Sequence, residues 1–170
     1  MHLKLDEADI NILNHLQINA RISTAELSLL VKIPNYVVKS KIKRLENLGY
    51  IQGYVAVLNP NMVDKKFEAL LFLKLSTNSN EFFETFRALI EEIPEIVQCD
   101  LMASPGDVLL RIVTKDIKEF GEVTLQKIYR YGGIESNTTH VVFKKMKGTY
   151  KIDLSRLLSQ CIDRFYPKKN

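Results

Sequence analysis

Three stretches near the start of the chain repeat apolar residues at the spacing of an amphipathic helix. Ile10, Leu13, Leu16 and Gln17 make the first stripe. Asp6 stands before it, placed to accept from the free N–H groups of a first turn, and Glu7 and Asp9 suit that turn's positive end. Ser23-x-x-Glu26 has the form of a capping box ahead of a second stripe, Leu27, Leu30 and Val31. Lys32-Ile33 makes a turn of a few residues. Pro34 fits the start of a third helix, where a missing N–H costs nothing. In that helix Val38, Ile42, Leu45 and Leu48 face inward, and Gly49 fits a left-handed cap at its end. Gly49-Tyr50-Ile51-Gln52-Gly53-Tyr54 follows as a turn into a glycine-bounded strand. Helix, helix, short turn, helix, strand is the order of a winged helix-turn-helix, predicted over residues 1–52.

The third helix divides its faces. Asn35, Tyr36, Lys39, Ser40, Lys43 and Arg44 fall opposite the apolar stripe. DNA carries a phosphate charge about every 1.7 Å of axis, so Lys and Arg on such a face give affinity without sequence information. Asn35, Tyr36 and Ser40 are uncharged groups near the helix start that can meet base edges or phosphates. A solvated basic face is the ordinary reading of one Lys-rich helix. Two preceding helices and a turn of the right length favour double-stranded DNA as the partner.

From residue 67 the period changes. Residues 67–76 read as a strand with Ala69, Leu71, Leu73 and Leu75 on one face and Leu70 and Phe72 on the other. Asn80 is placed to cap a helix whose stripe is Phe82, Phe83, Phe86, Leu89, Ile90 and Ile93, stopped by Pro94. Residues 96–103 and 108–114 are strands around Ser104-Pro105-Gly106-Asp107, a turn-like tetrapeptide. Asp116 caps a second helix with Ile117, Phe120, Thr124 and Ile128 inward, and Gly132-Gly133 ends it before a last strand, 134–145. The order predicts a ferredoxin-like βαββαβ sheet over 67–147, with both helices on one face. The opposite face then leaves Leu70 and Phe72 in water unless something covers them. A sheet-to-sheet dimer or a ligand groove would do so, and a dimer also gives a helix-turn-helix a two-fold operator. Residues 53–66 are a linker with a turn at Asn59-Pro60-Asn61 and a short strand, 55–58. The tail, 148–170, places Leu154, Leu157, Leu158, Cys161, Ile162 and Phe165 at helical spacing. It is predicted as an amphipathic helix that packs, on its own subunit or on a partner, with packing on nothing stable the alternative. The fold class is α+β.

Charge sharpens this division. The net +4 is distributed as +3 over residues 1–66, −5 over 67–139 and +6 over 140–170. Only the two ends suit a polyanion, and the middle serves another purpose. No run of 18 apolar residues exists and the first residues lack a signal peptide's apolar core. Cys99 and Cys161 make no disulfide framework. A cytoplasmic, nucleoid-associated protein without a membrane segment is expected.

Leu5-Asp6-x-x-Asp9-x-x-Ile12-Leu13, Ala20-Arg21-Ile22-Ser23, Arg44-Leu45-Glu46-x-x-Gly49-Tyr50-Ile51-x-Gly53-Tyr54 and Leu58-Asn59-Pro60 together resemble the Lrp/AsnC family of leucine- and asparagine-responsive regulators, over residues 3–147. The resemblance implies a winged helix-turn-helix and a C-terminal ligand-sensing (RAM-type) domain. It also implies homodimers that assemble further, often to octamers that wrap DNA, and an amino-acid effector bound between dimers. Two departures stand out. The family's Val-Gly-Leu-Ser turn reads Val31-Lys32-Ile33-Pro34, so Lys32 replaces a glycine and adds a candidate phosphate contact. The family's effector-site glycine, three residues before an aspartate, is Ser104, with Asp107 kept. The implied effector site is therefore Ala103, Ser104, Pro105, Gly106 and Asp107 with Thr139. Asp107 there either pairs with a ligand ammonium or caps the turn.

No catalytic constellation, metal spacing or cofactor motif is read from the sequence. His2, His15 and His140 are scattered. Cys99 with His140 has nothing to orient it as a nucleophile and base. Siroheme decarboxylases resemble the same family, but their His- and Arg-containing stretch has no counterpart in residues 101–107. A regulator rather than an enzyme is expected, with an oligomeric sensor that has lost operator binding as the other alternative.

Overall fold

In a computed structural model, residues 5–77, 79–103 and 107–165 are described. The chain divides into two compact units: residues 1–56 together with 147–170, and residues 57–146.

The first unit opens with α1 (Glu7–Ile18). Asp6 Oδ1 accepts from the Asp9 N–H at 2.8 Å, and Asp9 Oδ2 accepts from the Asp6 N–H at 3.0 Å, a reciprocal capping box. Ser23 Oγ accepts from the Glu26 N–H to start α2 (Thr24–Val31). This helix stops at Lys32, which is left-handed at φ 55°. The Ser28 hydroxyl donates to the Ile33 carbonyl at 2.7 Å and fixes the turn, and Pro34 stands just ahead of α3 (Asn35–Asn47). Gly49 at φ +76° takes the chain away from α3.

Ile12, Leu27, Val38 and Leu45 are fully buried between these helices, with Leu13, Leu16, Ile22, Val31 and Ile42 around them. Two expected core positions lie outside. Leu30 is exposed, because an eight-residue helix buries only the face of Leu27 and Val31, four residues apart, and Leu30 sits at its margin. Leu48 is exposed because α3 has ended before it. The expected wing strand and the strand at 55–58 do not form: residues 51–59 carry no regular structure. A strand needs a hydrogen-bonding neighbour, and the described residues supply none there. Tyr54 instead donates its hydroxyl to Glu46 on α3 at 2.9 Å.

The tail does form a helix, α6 (Ser155–Phe165), and it packs on α1. Ile152 lies beside Gln17 and Cys161 beside Leu5, so the two helices run antiparallel. Ile10 is fully buried yet stands outside the three-helix cluster. It is seven residues, about two turns, before Gln17, and so lies on the face of α1 that the tail takes.

The second unit begins with a short 3-10 turn, Pro60–Val63, started by the Asn59 side chain. Its elements are β1 (Phe67–Leu75), α4 (Asn80–Glu91), β2 (Ile96–Leu101), β3 (Asp107–Thr114), α5 (Ile117–Glu122) and β4 (Ile134–Val141). The strands form one antiparallel sheet in the order β2-β3-β1-β4, the ferredoxin-like arrangement. Leu71, Leu73 and Leu75 of β1 and Val108, Leu110 and Ile112 of β3 pack against Phe86, Ile90, Ile93, Val123 and Ile128. The cap of α4 is Ser79, one residue earlier than expected. Asp116 caps α5 as expected, but Ile117, the first helical residue, points to solvent. The chain after α5 widens to a π-helical turn, Val123–Ile128. Thr124 and Ile128 are buried there as expected, and Val123 is buried with them. β4 ends at Val141 rather than at the expected residue 145: Val141 pairs with Ala69 of β1, and one more bond, from the Val142 N–H to the Glu68 carbonyl at 2.8 Å, follows it.

Candidate nucleic-acid interface and effector region

The residues that hold α3 and those it presents outward are separated by one buried carboxylate. Asp9 has no solvent exposure. Lys41 of α3 donates to Asp6 Oδ2 at 2.5 Å and to Asp9 Oδ1 at 3.0 Å. Arg44 of α3 donates to Asp9 Oδ2. Burial alone would raise the Asp9 pKa, but hydrogen bonds from Arg44, the Asp6 backbone and Lys41 overcome it and hold the carboxyl below its ordinary range. Lys41, despite its own burial, is raised by Asp6 and Asp9. The hydrogen bond to Asp9 raises Arg44.

Arg44 therefore has a structural partner that the face assignment did not give it. Lys41 was not among the expected site residues. The signal for it was present: Lys41 is three residues after Val38 and four before Leu45, on the stripe that faces the core.

The remaining α3 positions present a polar and basic surface. Tyr36, Lys39, Ser40 and Lys43 are exposed. Asn35 is half-buried, and its Oδ1 finds no donor among the described residues. Lys32 is exposed at the turn just ahead of them. One helix face thus offers two ammonium groups, a phenol, a hydroxyl and a carboxamide, with Lys32 adding a third cation beside it.

Of the expected effector residues that are described, Asp107 and Thr139 are not brought together within one chain. Ala103 is exposed, and Ser104, Pro105 and Gly106 lie outside the described residues. Asp107 begins β3 opposite Lys74, whereas Thr139 of β4 lies opposite Leu71. Lys74 and Leu71 project from opposite faces of β1, so Asp107 and Thr139 do too. Two strand spacings and three residues along β1 put them roughly 14 Å apart. Cys99 and His140 are likewise divided, on the two outer strands of the sheet, and burial pushes the Cys99 thiol up rather than activating it. Among the described residues no group of three His, Cys, Asp or Glu side chains is placed to hold a metal ion, and no helix is long and apolar enough to cross a membrane.

The open face of the sheet carries Leu70, Phe72, Leu109 and Arg111. Phe72 is 37% exposed and packs edge-on against His140 at 5.4 Å between centroids. Glu68 on the same face is held down by Arg111 at 2.6 Å and Lys145 at 3.3 Å, against the upward effect of its burial. The most exposed apolar side chains of this unit lie elsewhere: Phe143 at 99%, Met146 at 85% and Met62 at 81%.

A helix-turn-helix with a basic outward helix, joined to a ferredoxin-like unit, defines a DNA-binding regulator with a separate ligand-binding half. The comparisons agree in both halves. A family model described as winged helix-turn-helix DNA-binding matches residues 5–52, and one described as the Lrp/AsnC ligand binding domain matches residues 68–152. The leucine-responsive regulatory proteins of Salmonella typhimurium and Escherichia coli K12 are each 32% identical over 148 residues, 87% of this chain and 90% of theirs. A transcriptional regulator of Neisseria meningitidis, solved in complex with L-Met, superposes with a TM-score of 0.84 at 28% identity, covering 91% of this chain and 99% of that one. An AsnC family transcriptional regulator of Agrobacterium tumefaciens gives a TM-score of 0.83 at 26% identity, covering 89% and 99%. The chain belongs to the Lrp/AsnC family and is a DNA-binding transcriptional regulator of that type.

Proposed function

We propose that α3 is the DNA-reading helix, with Lys32, Lys39 and Lys43 on phosphates and Asn35, Tyr36 and Ser40 near base edges. The observation that carries this is the division of the helix's cations. Lys41 and Arg44 are taken up by Asp6 and Asp9, while Lys39 and Lys43 stand in solvent on the other side. Arg44 then serves the interface from behind: its pairing with Asp9 fixes the helix that the others read with. The test is fluorescence anisotropy with duplexes selected from a random library. Lys39→Ala with Lys43→Ala should weaken every sequence alike and lower the salt slope by about one unit for each phosphate no longer neutralised. Changes at Asn35 or Tyr36 should alter the selected sequence, at ~1–3 kcal/mol per misread base pair. Unchanged binding and unchanged sequence preference would overturn the assignment.

The effector half takes a small amino acid at a boundary between copies of the chain. Asp107 and Thr139 are too far apart to share a small pocket within one subunit, and the Neisseria relative is named for its complex with L-Met. Exposed Val55, Val57 and Leu58, in a segment without regular structure, and exposed Phe143 and Met146 favour a homodimer that covers them. A thermal-shift screen of the twenty amino acids on wild-type protein and on Asp107→Ala tests the effector reading. A stabiliser lost in the variant supports it, and no shift at millimolar concentration alongside intact DNA binding opposes it.

A further inference from the structure

Resting on that DNA reading, we infer that α6 is a positioning element for the recognition helix, acting through the first turn of α1. The C-terminal segment grips α1 at both ends. The Gln17 carboxamide accepts from the Ile152 N–H at 2.6 Å and donates to the Ile152 carbonyl at 3.2 Å, so one side chain satisfies both backbone groups as a strand partner would. At the far end the Cys161 thiol donates to the Leu5 carbonyl at 3.2 Å. Leu154, Leu158 and Cys161 are half-buried along this face, and fully buried Ile10 lies between the two grips. Asp153 starts the helix by accepting from the Ser155 N–H at 3.0 Å.

The gripped turn is the one that holds α3. Leu5 precedes Asp6, which takes Lys41, and Ile10 follows Asp9, which takes Lys41 and Arg44. Displacing α6 therefore frees the turn whose carboxylates anchor the recognition helix. By order in the sequence the tail would be an appendage of the ligand-binding half. The match to that half's family model ends at residue 152, where the Gln17 grip begins, and residues 147–170 belong with residues 1–56. The structure assigns the tail to the DNA-binding unit, with Gln17 and Cys161 as positioning residues.

The experiment uses full-length Gln17→Ala, Cys161→Val and Cys161→Ser, with a chain ended after residue 153 as a further variant. Two quantities are read: the carboxyl titration of Asp9 by carbon NMR, and affinity for a fluorescent random-sequence duplex. Cys161→Val, Gln17→Ala and the shortened chain should move the Asp9 titration upward and weaken DNA binding several-fold. Cys161→Ser keeps a donor to the Leu5 carbonyl and should stay near wild type. If the shortened chain fails to fold, the point variants decide. Wild-type titration and affinity in both Gln17→Ala and Cys161→Val would overturn the inference while leaving the DNA reading intact. A shifted titration in protein that binds no duplex even as wild type would sink the DNA reading and leave the link from α6 to α3 standing.

Discussion

Arg44 reaches from the recognition helix to Asp9, a carboxylate with no solvent exposure, and so works as an internal tie. Breaking a buried pair by removing one partner leaves the other charge uncompensated, at about 3–5 kcal/mol. Asp9→Ala should destabilise the helix-turn-helix unit by less than that, seen as a fall in its urea midpoint, because Lys41 keeps Asp6 and Arg44 is 39% exposed. Arg44→Ala should cost less, because Lys41 still reaches Asp9.

The same carboxylate sets an acid limit. Its folded pKa is depressed, so its stabilisation is present above the unfolded carboxyl value of about 3.9 and is lost as pH falls through the lower folded value. Glu68, lowered by Arg111 and Lys145, adds a loss of the same sign in the other unit. Circular dichroism from pH 6 downward should show wild-type stability falling below about pH 4. Asp9→Asn should start less stable and show a shallower fall. A parallel fall in both proteins would exclude Asp9 as the source.

Lys32 adopts a left-handed backbone at φ 55°, a conformation that costs a side-chain-bearing residue roughly 1–2 kcal/mol. Lys32→Gly should raise thermal stability by up to about 1 kcal/mol, the unfolded chain's greater freedom offsetting part of the gain. The same variant should bind DNA more weakly and with a smaller salt slope. Higher stability with undiminished binding would remove Lys32 from the interface.

Gly133 has φ +70°, and a Cβ there would stand 2.4 Å from the Phe82 ring. Phe82 is packed among Phe83, Phe86 and Tyr131, so it has little room to yield. Gly133→Ala should destabilise the second unit by about 2 kcal/mol or more, from overpacking and backbone strain together. Gly121, whose Cβ would meet nothing within 4 Å, is the control position.

Tyr54 is pushed up to about 12 by burial and by its hydrogen bond to Glu46. A raised tyrosine stabilises the fold below its unfolded pKa near 10 and loses that contribution as pH rises through the folded value. Ultraviolet titration should show one tyrosine ionising last, near pH 12, and Tyr54→Phe should remove that step.

Local chemistry made much of this legible in advance. Asp6, Ser23 and Asp116 cap their helices because a short oxygen-bearing side chain before an apolar stripe has few other uses. Gly49 and Gly132-Gly133 mark the left-handed exits. What remained hidden depends on neighbours far along the chain. Ile12 is a core residue because α2 and α3 close over it, not because of its place in the first stripe. Lys41 falls on the core-facing stripe of α3, but its partners, Asp9 of α1 and the Asp6 that caps it, are visible only in the fold. Residues 55–58, Val-Ala-Val-Leu, have the apolar run of a strand but no edge to pair with. Thr139 and Asp107 were joined by the resemblance alone, and strand parity separates them.

The return of residues 147–165 to α1 bears on how the protein is made. Leu5 and Asp6 leave the ribosome well ahead of the Cys161 thiol that meets Leu5, which is 156 residues behind it. Gln17 waits 135 residues for Ile152. Contacts so distant in sequence form slowly, and during synthesis they cannot form at all until the ligand-binding half has emerged. The helix-turn-helix is thus begun before the ligand-binding half and completed after it, and a chain still on the ribosome would carry a recognition helix whose anchoring turn is held from one side only.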